Sequence, residues 1–505
     1  MSAPFLNPKK KTQPDFSMSL FDEYVRYETR RQFFARGKNV VGAAALASLL
    51  GEGGARKLLA SGVPEHKPVF PHFAPKAKQI IYLHMVGGPS QMDLWDHKPE
   101  MAKWYDKDLP ESIRNGQRLT TMTSGQSRFP VAPSKYKFGP AGKSGLMMNT
   151  ELLPWTAKVA DDLCLIRSMH TEAINHEPAI TAMQTGNQVT GRPCIGSWVS
   201  YGLGALNKDL PPFVVLVAEP TNREQMQAIS ARLWSSGYLS GEHAGVSFRS
   251  AGDPILFINN PPGVPADVRR RQMDGLQALN EMNYKLVGDP ETHTRIQQFE
   301  MAFRMQSSVP ELTDVSGESE ETYKLYGDDA KKPGTFAFTA LMARRLVERG
   351  VRFVQVYLNN WDHHSNVGGR MPSQCKDIDQ ATYALITDLK ARGMFDDTLI
   401  IWGGEFGRTI YSQGGLSHEN YGRDHHPRCF SMWMAGGGSK GGTVHGETDE
   451  FSYNIVKDPV HIADFHATIL HLLGIDHERF TVKVQGLDAR LTGVLPCRVV
   501  KELIA

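Results

Sequence analysis

The chain has 505 residues, of which 41% are hydrophobic and 22% are charged, and its formal net charge at pH 7 is +2. This composition is typical of a globular protein, and the near-balanced charge argues against a nucleic-acid-binding surface or a polybasic membrane patch. The length allows one large α/β domain or two ordinary ones. The five cysteines form no C-x-x-C pair, which excludes a zinc-finger-like site and provides no disulfide framework.

The first 55 residues are predicted to be an export signal. Arg30 and Arg31 precede an apolar run from Val40 to Leu50. That run is too short to span a bilayer as a helix but fits the hydrophobic region of a signal peptide. An arginine pair before a weakly hydrophobic run, rich in alanine and glycine, resembles a twin-arginine signal. We therefore expect twin-arginine export to a periplasmic or extracellular location, with no stable membrane span.

Residues 56–77 are predicted to be a linker, because the stretch "PEHKPVFPHFAPKA" that ends this range is rich in proline. Residues 78–497 are predicted to be a single α/β domain. Apolar runs predict its strands, and longer amphipathic or charged runs predict its helices. In chain order the predicted elements are strands at 78–86, 162–169 and 211–220, surface helices within 265–310, a loop at 311–334, a helix at 334–350, a strand at 351–358, a helix at 375–393 and a strand at 398–402.

The last three elements form a strand–helix–strand unit, whose strands should be parallel with a right-handed crossover. In a parallel sheet the carboxyl ends of the strands share one edge, and ligands bind there. Polar side chains follow several of the predicted strands, so we expect them to form one active site at this edge. They are Ser90, Asp93, His170, Thr171, His176, Asp362, His364, Glu405 and Arg408.

A ligand set of Asp, Glu and His without Cys suits Zn²⁺, Mn²⁺ or a two-metal site. In "WDHH" Asp362 and His364 are two residues apart and can face the same ion, whereas His363 is expected to face away. The motif "GRDHHP" adds Asp424 and His425, but it precedes a predicted strand at 430–434. Either that strand is antiparallel, or its loop folds back over the edge.

Several motifs together resemble the DUF1501 family of exported bacterial proteins, which is placed in the alkaline phosphatase/sulfatase superfamily. The resemblance covers roughly residues 30 to 495. It implies an alkaline-phosphatase-like α/β fold, with a mostly parallel central sheet and helices on both faces. It also implies hydrolysis of phosphate or sulfate esters. In chain order the motifs are "RRQFF", "GGPSQMDLWDHKP", "LIRSMHTEAINHEPAITAMQTG", "CIGSWVSYGLG", "YLNNWDHHSN", "GGEFGRT" and "GRDHHP".

The resemblance also implies metal ligands. Asp362 and His364 match an Asp/His pair for one ion, and His425 matches a late histidine for the same ion. Glu405 lies where the superfamily holds a second ion through an Asp–His pair, although Phe406 replaces that histidine. Further candidate ligands are Asp93, for the second ion, and Asp424. The expected cofactor is one or two divalent ions, with zinc first and manganese or calcium as alternatives.

The expected substrate is a small-molecule or polysaccharide ester. The segment "NHEPAITAMQTG" is similar to the nucleophile helix of nucleotide pyrophosphatases. Glu172 occupies the position that matches their nucleophilic threonine, and the candidate nucleophile is Thr171, one position before it. Ser90 is the alternative, and attack by a metal-activated water without a covalent intermediate is a third option. Arg408 or His176 is expected to neutralise the developing negative charge. The rival prediction is a non-catalytic, exported binding protein that keeps the fold.

Overall fold

The computed structural model describes residues 71–505 except 250–251, 256–257, 261–262 and 290. The predicted export signal and most of the predicted linker lie outside the described residues. Within the described part of the chain, no helix is long and apolar enough to cross a lipid bilayer.

Strands and helices alternate along most of the described chain. The strands are β1 (Gln79–Met85), β2 (Phe138–Ala141), β3 (Leu146–Asn149), β4 (Leu163–His170), β5 (Phe213–Ala218), β6 (Val246–Phe248), β7 (Phe353–Leu358), β8 (Thr398–Gly403), β9 (Gly407–Gln413), β10 (Gly422–His426), β11 (Phe430–Ala435), β12 (Thr443–His445), β13 (Glu447–Thr448), β14 (Ile455–Lys457), β15 (Val460–His461), β16 (Val482–Val484) and β17 (Leu487–Ala489). The α-helices are α1 (Gln91–Leu94), α2 (Glu111–Arg114), α3 (His176–Thr185), α4 (Ile195–Leu203), α5 (Ala266–Val287), α6 (Glu291–Thr313), α7 (Glu320–Tyr326), α8 (Phe336–Glu348), α9 (Val367–Ala391) and α10 (Ile462–Leu472).

Within the described residues, the central sheet has nine strands in the order β12, β4, β11, β8, β1, β7, β5, β6, with β15 also paired to β4. All of these pairings are parallel except those of β11, which runs antiparallel to both β4 and β8. The prediction of a mostly parallel sheet is therefore confirmed. The strand that follows "GRDHHP" is β11. It is antiparallel, which is the first of the two alternatives given for this part of the sequence.

The sheet is covered by helices on both faces, which explains why its strands are apolar along their whole length. In β1, Ile81 and Leu83 face a core built with α8 and α9. Ile80 and Tyr82 face the opposite core, built with α4 and α10. Burial of one such aliphatic side chain contributes roughly 1.5–3 kcal/mol, so β1, β7 and β8 form a rigid support for the loops at their carboxyl ends.

Helix α9 begins at Val367, eight residues before the predicted start at 375, and this part of the prediction is wrong. Pro372 lies inside the helix, where it cannot donate a hydrogen bond to the carbonyl of Gly368. The hydroxyl of Tyr136 donates to that carbonyl instead, at 3.2 Å, and lies equally close to the carbonyl of Val367. A residue distant in sequence thus satisfies the group that proline leaves unpaired.

The predicted loop at 311–334 is also partly wrong, because it contains helix α7. The hydroxyl of Ser319 accepts a hydrogen bond from the backbone N–H of Thr322 and caps the helix. Tyr323 and Tyr326 are buried against the core beside α9. Tertiary packing therefore stabilises a helix that is too short to be stable by itself.

His466 on α10 makes folding sensitive to acid. Its ring is fully buried, Nε2 donates to the carbonyl of Met183 at 2.8 Å, and burial lowers its pKa to about 4. The unfolded chain binds the proton near pH 6.5, so stability falls as the pH drops from about 6.5 to about 4.

Lowering the pH from 7 to 5 should cost the wild type more stability than His466→Gln. We expect the loss in free energy of unfolding to be about 2 kcal/mol smaller in His466→Gln. Urea unfolding of both metal-free proteins at the two pH values measures this difference. Identical pH dependence in the two proteins would show that His466 takes up its proton without unfolding.

Candidate metal centre

The loops that follow β4 and β7 and the β9–β10 hairpin supply the side chains of one cluster. Asp362 and His364 follow β7, and His176 begins α3 shortly after β4. The antiparallel β9–β10 hairpin adds His425, which is paired in register with Arg408. Three separate parts of the chain therefore supply side chains to one place.

Asp362, His176, His364 and His425 form a compact cluster of metal-ligand type. Oδ1 of Asp362 lies 3.1 Å from Nε2 of His176, 2.8 Å from Nε2 of His364 and 3.6 Å from Nε2 of His425. One ligand atom from each of the four residues lies within 4.8 Å of all the others. Ligand atoms bound to a tetrahedral zinc at ~2.0–2.1 Å are about 3.3 Å apart, so the spacing fits one ion.

The hydrogen bonds of the three rings prepare them to bind a metal. In each ring Nδ1 faces an oxygen outside the cluster, so Nδ1 carries the hydrogen and the Nε2 lone pair is free. These oxygens are Oε1 of Glu405 at 2.6 Å for His176, Oε1 of Gln413 at 2.5 Å for His364 and the carbonyl of Ile174 at 2.8 Å for His425. Among the described residues, Nε2 of His176 and Nε2 of His425 are buried without a hydrogen-bond partner. The donor set and its unpartnered nitrogens fit a divalent ion.

Arg408 and Gln227 hold the carboxylate of Asp362 in place. Nη2 of Arg408 donates to Oδ1 at 2.6 Å, and Nε2 of Gln227 donates to Oδ2 at 2.8 Å. Burial by itself would raise the pKa of Asp362, but the guanidinium of Arg408 outweighs it and holds this pKa well below its usual range. The other guanidinium donors of Arg408, which is fully buried, bind carbonyl oxygens of Gly87, Gly88 and Arg423. The structure therefore places Arg408 behind Asp362, with four of its five N–H donors already occupied.

Glu405 contacts the cluster through His176 and is not one of its four members. It is fully buried and accepts hydrogen bonds from the backbone N–H of Gly87 at 3.0 and 3.2 Å and from Nδ1 of His176. Nε2 of His84 lies 3.5 Å from its other oxygen. Burial raises the pKa of Glu405, but the two histidines outweigh that effect and lower the pKa to about 2. The geometry is that of a carboxylate that orients a metal-binding histidine.

Gly87 allows the loops after β1 and β7 to touch. Its φ of +119° lies outside the range of L-residues, and a Cβ there would lie 2.4 Å from the backbone nitrogen of Asp362. The close approach places the N–H of Gly87 on Glu405 and its carbonyl on Arg408. One glycine therefore connects the supports of Asp362 and His176.

The structure does not bring Asp93, Asp424 or Ser90 into the cluster. The hydroxyl of Ser90 donates to Oδ2 of Asp93 at 2.6 Å, and Nε of Arg423 donates to the same oxygen at 2.7 Å. Asp424 accepts from the hydroxyls of Thr123, at 2.5 Å, and Thr120. Both carboxylates are thus satisfied by contacts that stabilise the surrounding loops.

His363 is also outside the cluster. Its ring is buried with its centroid 6.2 Å from that of Trp361, and burial lowers its pKa to about 3. Neither ring nitrogen has a hydrogen-bond partner among the described residues.

A cavity of about 400 Å³ lies beside the cluster and shares His425 with it. Residues of the segments 117–120, 170–174 and 425–428 line it, together with Tyr411 and Tyr453. The hydroxyl of Thr171 is buried in this wall and has no hydrogen-bond partner among the described residues. The backbone N–H of Thr171 donates to the carbonyl of Pro427 at 2.9 Å, which holds two of the lining segments together. A ligand in this cavity would reach Thr171 and His425 together.

Sequence reasoning missed three supporting side chains. His84, Gln227 and Gln413 contact Glu405, Asp362 and His364, respectively. His84 had a detectable signal, because a histidine inside the apolar run "KQIIYLHMV" must be buried and therefore needs a partner. The two glutamines lie in loop or strand-end sequence and carry no comparable signal.

Comparisons with known proteins give the following relationships. A family model described as "Protein of unknown function (DUF1501)" matches residues 77–504. No curated protein matches the sequence. Similar solved structures include a protein in the alkaline phosphatase superfamily from Vibrio parahaemolyticus, with 10% identity over 88% of this chain and 75% of that chain and a TM-score of 0.34. The lipoteichoic acid synthase LtaP from Listeria monocytogenes has 10% identity over 85% and 80%, with a TM-score of 0.35. The PsFucS1 sulfatase from Pseudoalteromonas sp. has 13% identity over 80% and 68%, with a TM-score of 0.32.

Proposed function

The chain belongs to the DUF1501 family, and we propose that it is an exported, metal-dependent hydrolase of phosphate or sulfate esters. The observation that carries the proposal is the convergence of three histidine Nε2 atoms on Oδ1 of Asp362, with every Nδ1 hydrogen-bonded elsewhere. A divalent ion held by these four residues supplies Lewis-acid polarisation of the ester oxygen.

We propose one ion rather than two. His176, Asp362, His364 and His425 are the one set of three or more His, Cys, Asp or Glu ligands brought together within the described residues. Glu405, Asp93 and Asp424 are each engaged with other protein groups. Three nitrogens and one carboxylate oxygen suit Zn²⁺, with Mn²⁺ as the alternative.

Thr171 is our candidate nucleophile in preference to Ser90. Its hydroxyl is unpartnered and lies in the cavity that also contains His425, whereas the hydroxyl of Ser90 is bound to Asp93. In the proposed reaction the hydroxyl oxygen of Thr171 bonds to the esterified phosphorus or sulfur as the bond to the ester oxygen breaks, and the hydroxyl proton passes through solvent to the departing alcohol. Water then cleaves the covalent ester on Thr171, which releases phosphate or sulfate and restores the hydroxyl, while Asp362 and the three histidines keep the site in one geometry. Arg408 maintains the ionised carboxylate of Asp362 rather than contacting the ester.

The second candidate function is a non-catalytic, exported binding protein. No described residue accepts a proton from the hydroxyl of Thr171. The ring of Phe406 packs 4.9 Å from that of His176 and 4.6 Å from that of His425, at a position where the resemblance predicts a metal-binding histidine. These two observations favour binding without turnover.

Metal analysis of the purified protein tests the proposal directly. We expect one equivalent of a divalent ion, and a lower melting temperature after chelation. A metal present at 100 times its Kd contributes about 2.7 kcal/mol to stability, which a chelator would remove. Protein without bound metal, whose melting temperature is unaffected by chelator or by added zinc, would contradict the proposed centre.

Export by the twin-arginine machinery is part of the same proposal, with residues 1–55 as the signal, 56–77 as the linker and 78–497 as the domain. The support is the pair Arg30–Arg31 before the apolar run that ends at Leu50. We expect the wild-type chain in the periplasmic or extracellular fraction and the double variant Arg30→Lys, Arg31→Lys inside the cell. Export of the double variant at the wild-type level would contradict this route.

A further inference from the structure

The cavity beside His425 carries positive charge that the described residues do not neutralise. Arg118 and Arg428 both line it, and neither forms an ion pair with any residue in the described part of the chain. Glu172 is the one acidic side chain in its wall. That carboxylate lies 3.0 Å from Nε2 of His461. The two guanidinium groups are therefore available to a ligand.

Two buried groups make this cavity different from an ordinary exposed surface with arginines. The hydroxyl of Thr171 and Nε2 of His425 are both about 95% buried or more and lack hydrogen-bond partners. Both belong to residues of the same cavity wall. A buried polar group without a partner is costly. Nε2 of His425 is assigned to the proposed ion, so the hydroxyl of Thr171 indicates where a polar ligand completes the structure beside that ion.

The wall of this cavity has a buried part and an exposed part, which differ in their chemistry. The buried part, at Thr171 and His425, belongs to the proposed reaction centre. The exposed part has two guanidinium groups, whose planar donors match the oxygens of phosphate and sulfate. A monoester with one anionic group would occupy the first part and leave the second without a partner.

We propose that the cavity binds an ester with a second phosphate or sulfate group, in addition to the group that is hydrolysed. This inference rests on the proposed function, which places the scissile group at Thr171 and His425. The second anionic group is held by Arg118 and Arg428. A cavity of about 400 Å³ is near the lower end of the range for small-molecule sites, which indicates a bis-ester of monosaccharide size.

The test is equilibrium binding to the metal-loaded full chain by calorimetry. One pair of probes is glucose 6-phosphate and glucose 1,6-bisphosphate, and a second pair is a glucose monosulfate and a glucose disulfate. We expect at least one two-anion probe to bind about tenfold or more tightly than its one-anion partner, because charge-assisted hydrogen bonds are worth at least that factor. The pair with the larger ratio identifies the anion.

Arg118→Gln and Arg428→Gln should each lower the affinity for the two-anion probe about tenfold and change the affinity for the one-anion probe less than twofold. Arg271→Gln is the matched control, because Arg271 is exposed on α5 and pairs with Asp267. Equal affinities within both pairs of probes, no measurable binding of either two-anion probe, or an unchanged ratio in both arginine variants would overturn the proposal. Product analysis of the same samples tests hydrolysis separately, so a two-anion preference without turnover contradicts the hydrolase and not the cavity.

Discussion

Replacement of Asp362 by asparagine is expected to remove the bound ion and to lower ester hydrolysis by about 10³-fold or more, since a Lewis-acid ion supplies several kcal/mol to the transition state. Oδ1 of Asp362 is the atom on which the three histidine nitrogens converge, and it is the one anionic donor of the cluster. Asparagine keeps the size of the side chain but supplies a neutral amide. Metal content and hydrolysis of a panel of phosphate monoesters, phosphate diesters and sulfate esters measure the effect.

The same substitution should also destabilise the fold. Arg408 is fully buried, and Asp362 is the acidic side chain to which its guanidinium donates. A buried charge left without its partner typically costs about 3–5 kcal/mol. We therefore expect a lower free energy of unfolding even in chelator, where loss of the metal contributes nothing.

Asp397→Asn is the matched control for Asp362→Asn. Asp397 pairs with Lys78 at 2.7 Å on the surface, so its substitution should keep the metal and change stability by less than about 1 kcal/mol. Hydrolysis that survives Asp362→Asn would show that the reaction occurs elsewhere. Hydrolysis in neither wild type nor variant, with the metal present in the wild type, would favour the binding protein.

Glu405→Ala is expected to weaken metal binding about 10–100-fold, which is the usual effect of removing a carboxylate that orients a metal-binding histidine. Glu405 fixes the tautomer of His176 through Nδ1 and is itself held by the backbone N–H of Gly87. Glu405→Gln should have a smaller effect, because an amide oxygen can still accept from both groups. Titration of the metal-free variants with zinc measures these affinities without any assay of activity.

The number of bound ions shows whether Glu405 orients His176 or is a ligand of a second ion, as the resemblance predicted. A ligand of a second ion would, on substitution, lower the metal content from two equivalents to one. A residue that positions His176 leaves one equivalent in both proteins at saturating zinc. Two equivalents in the wild type and one in Glu405→Ala would overturn the positioning role and restore the two-metal prediction.

Much of the fold could be predicted from local sequence. The strands β1, β4, β5, β7 and β8 match the apolar runs at 78–86, 162–169, 211–220, 351–358 and 398–402. Strands buried on both faces must be apolar throughout, so they stand out against the surrounding loops. The start of α9 could not be predicted in the same way, because Tyr136 compensates for Pro372 from a distant part of the chain.

The candidate site was partly predictable. Asp362 and His364 follow a recognisable strand, and "GRDHHP" marks His425 as a candidate by composition. The role of His176 as a member of the cluster, rather than as a charge-neutralising group, appeared only in the structure. For Asp93 the sequence position predicted a metal ligand. In the structure its carboxylate instead forms an ion pair with Arg423.

By itself the sequence determined the main strands, the parallel orientation of β7 and β8 and the edge where polar side chains gather, because hydrophobic periodicity and crossover handedness are local properties. Only the tertiary structure decided which of those side chains share a donor centre and which support it. Glu405 and His176 are 229 residues apart and meet through single atoms at 2.6 Å. Such contacts depend on side-chain direction and on packing between distant segments, and neither of these leaves a periodic pattern in the chain.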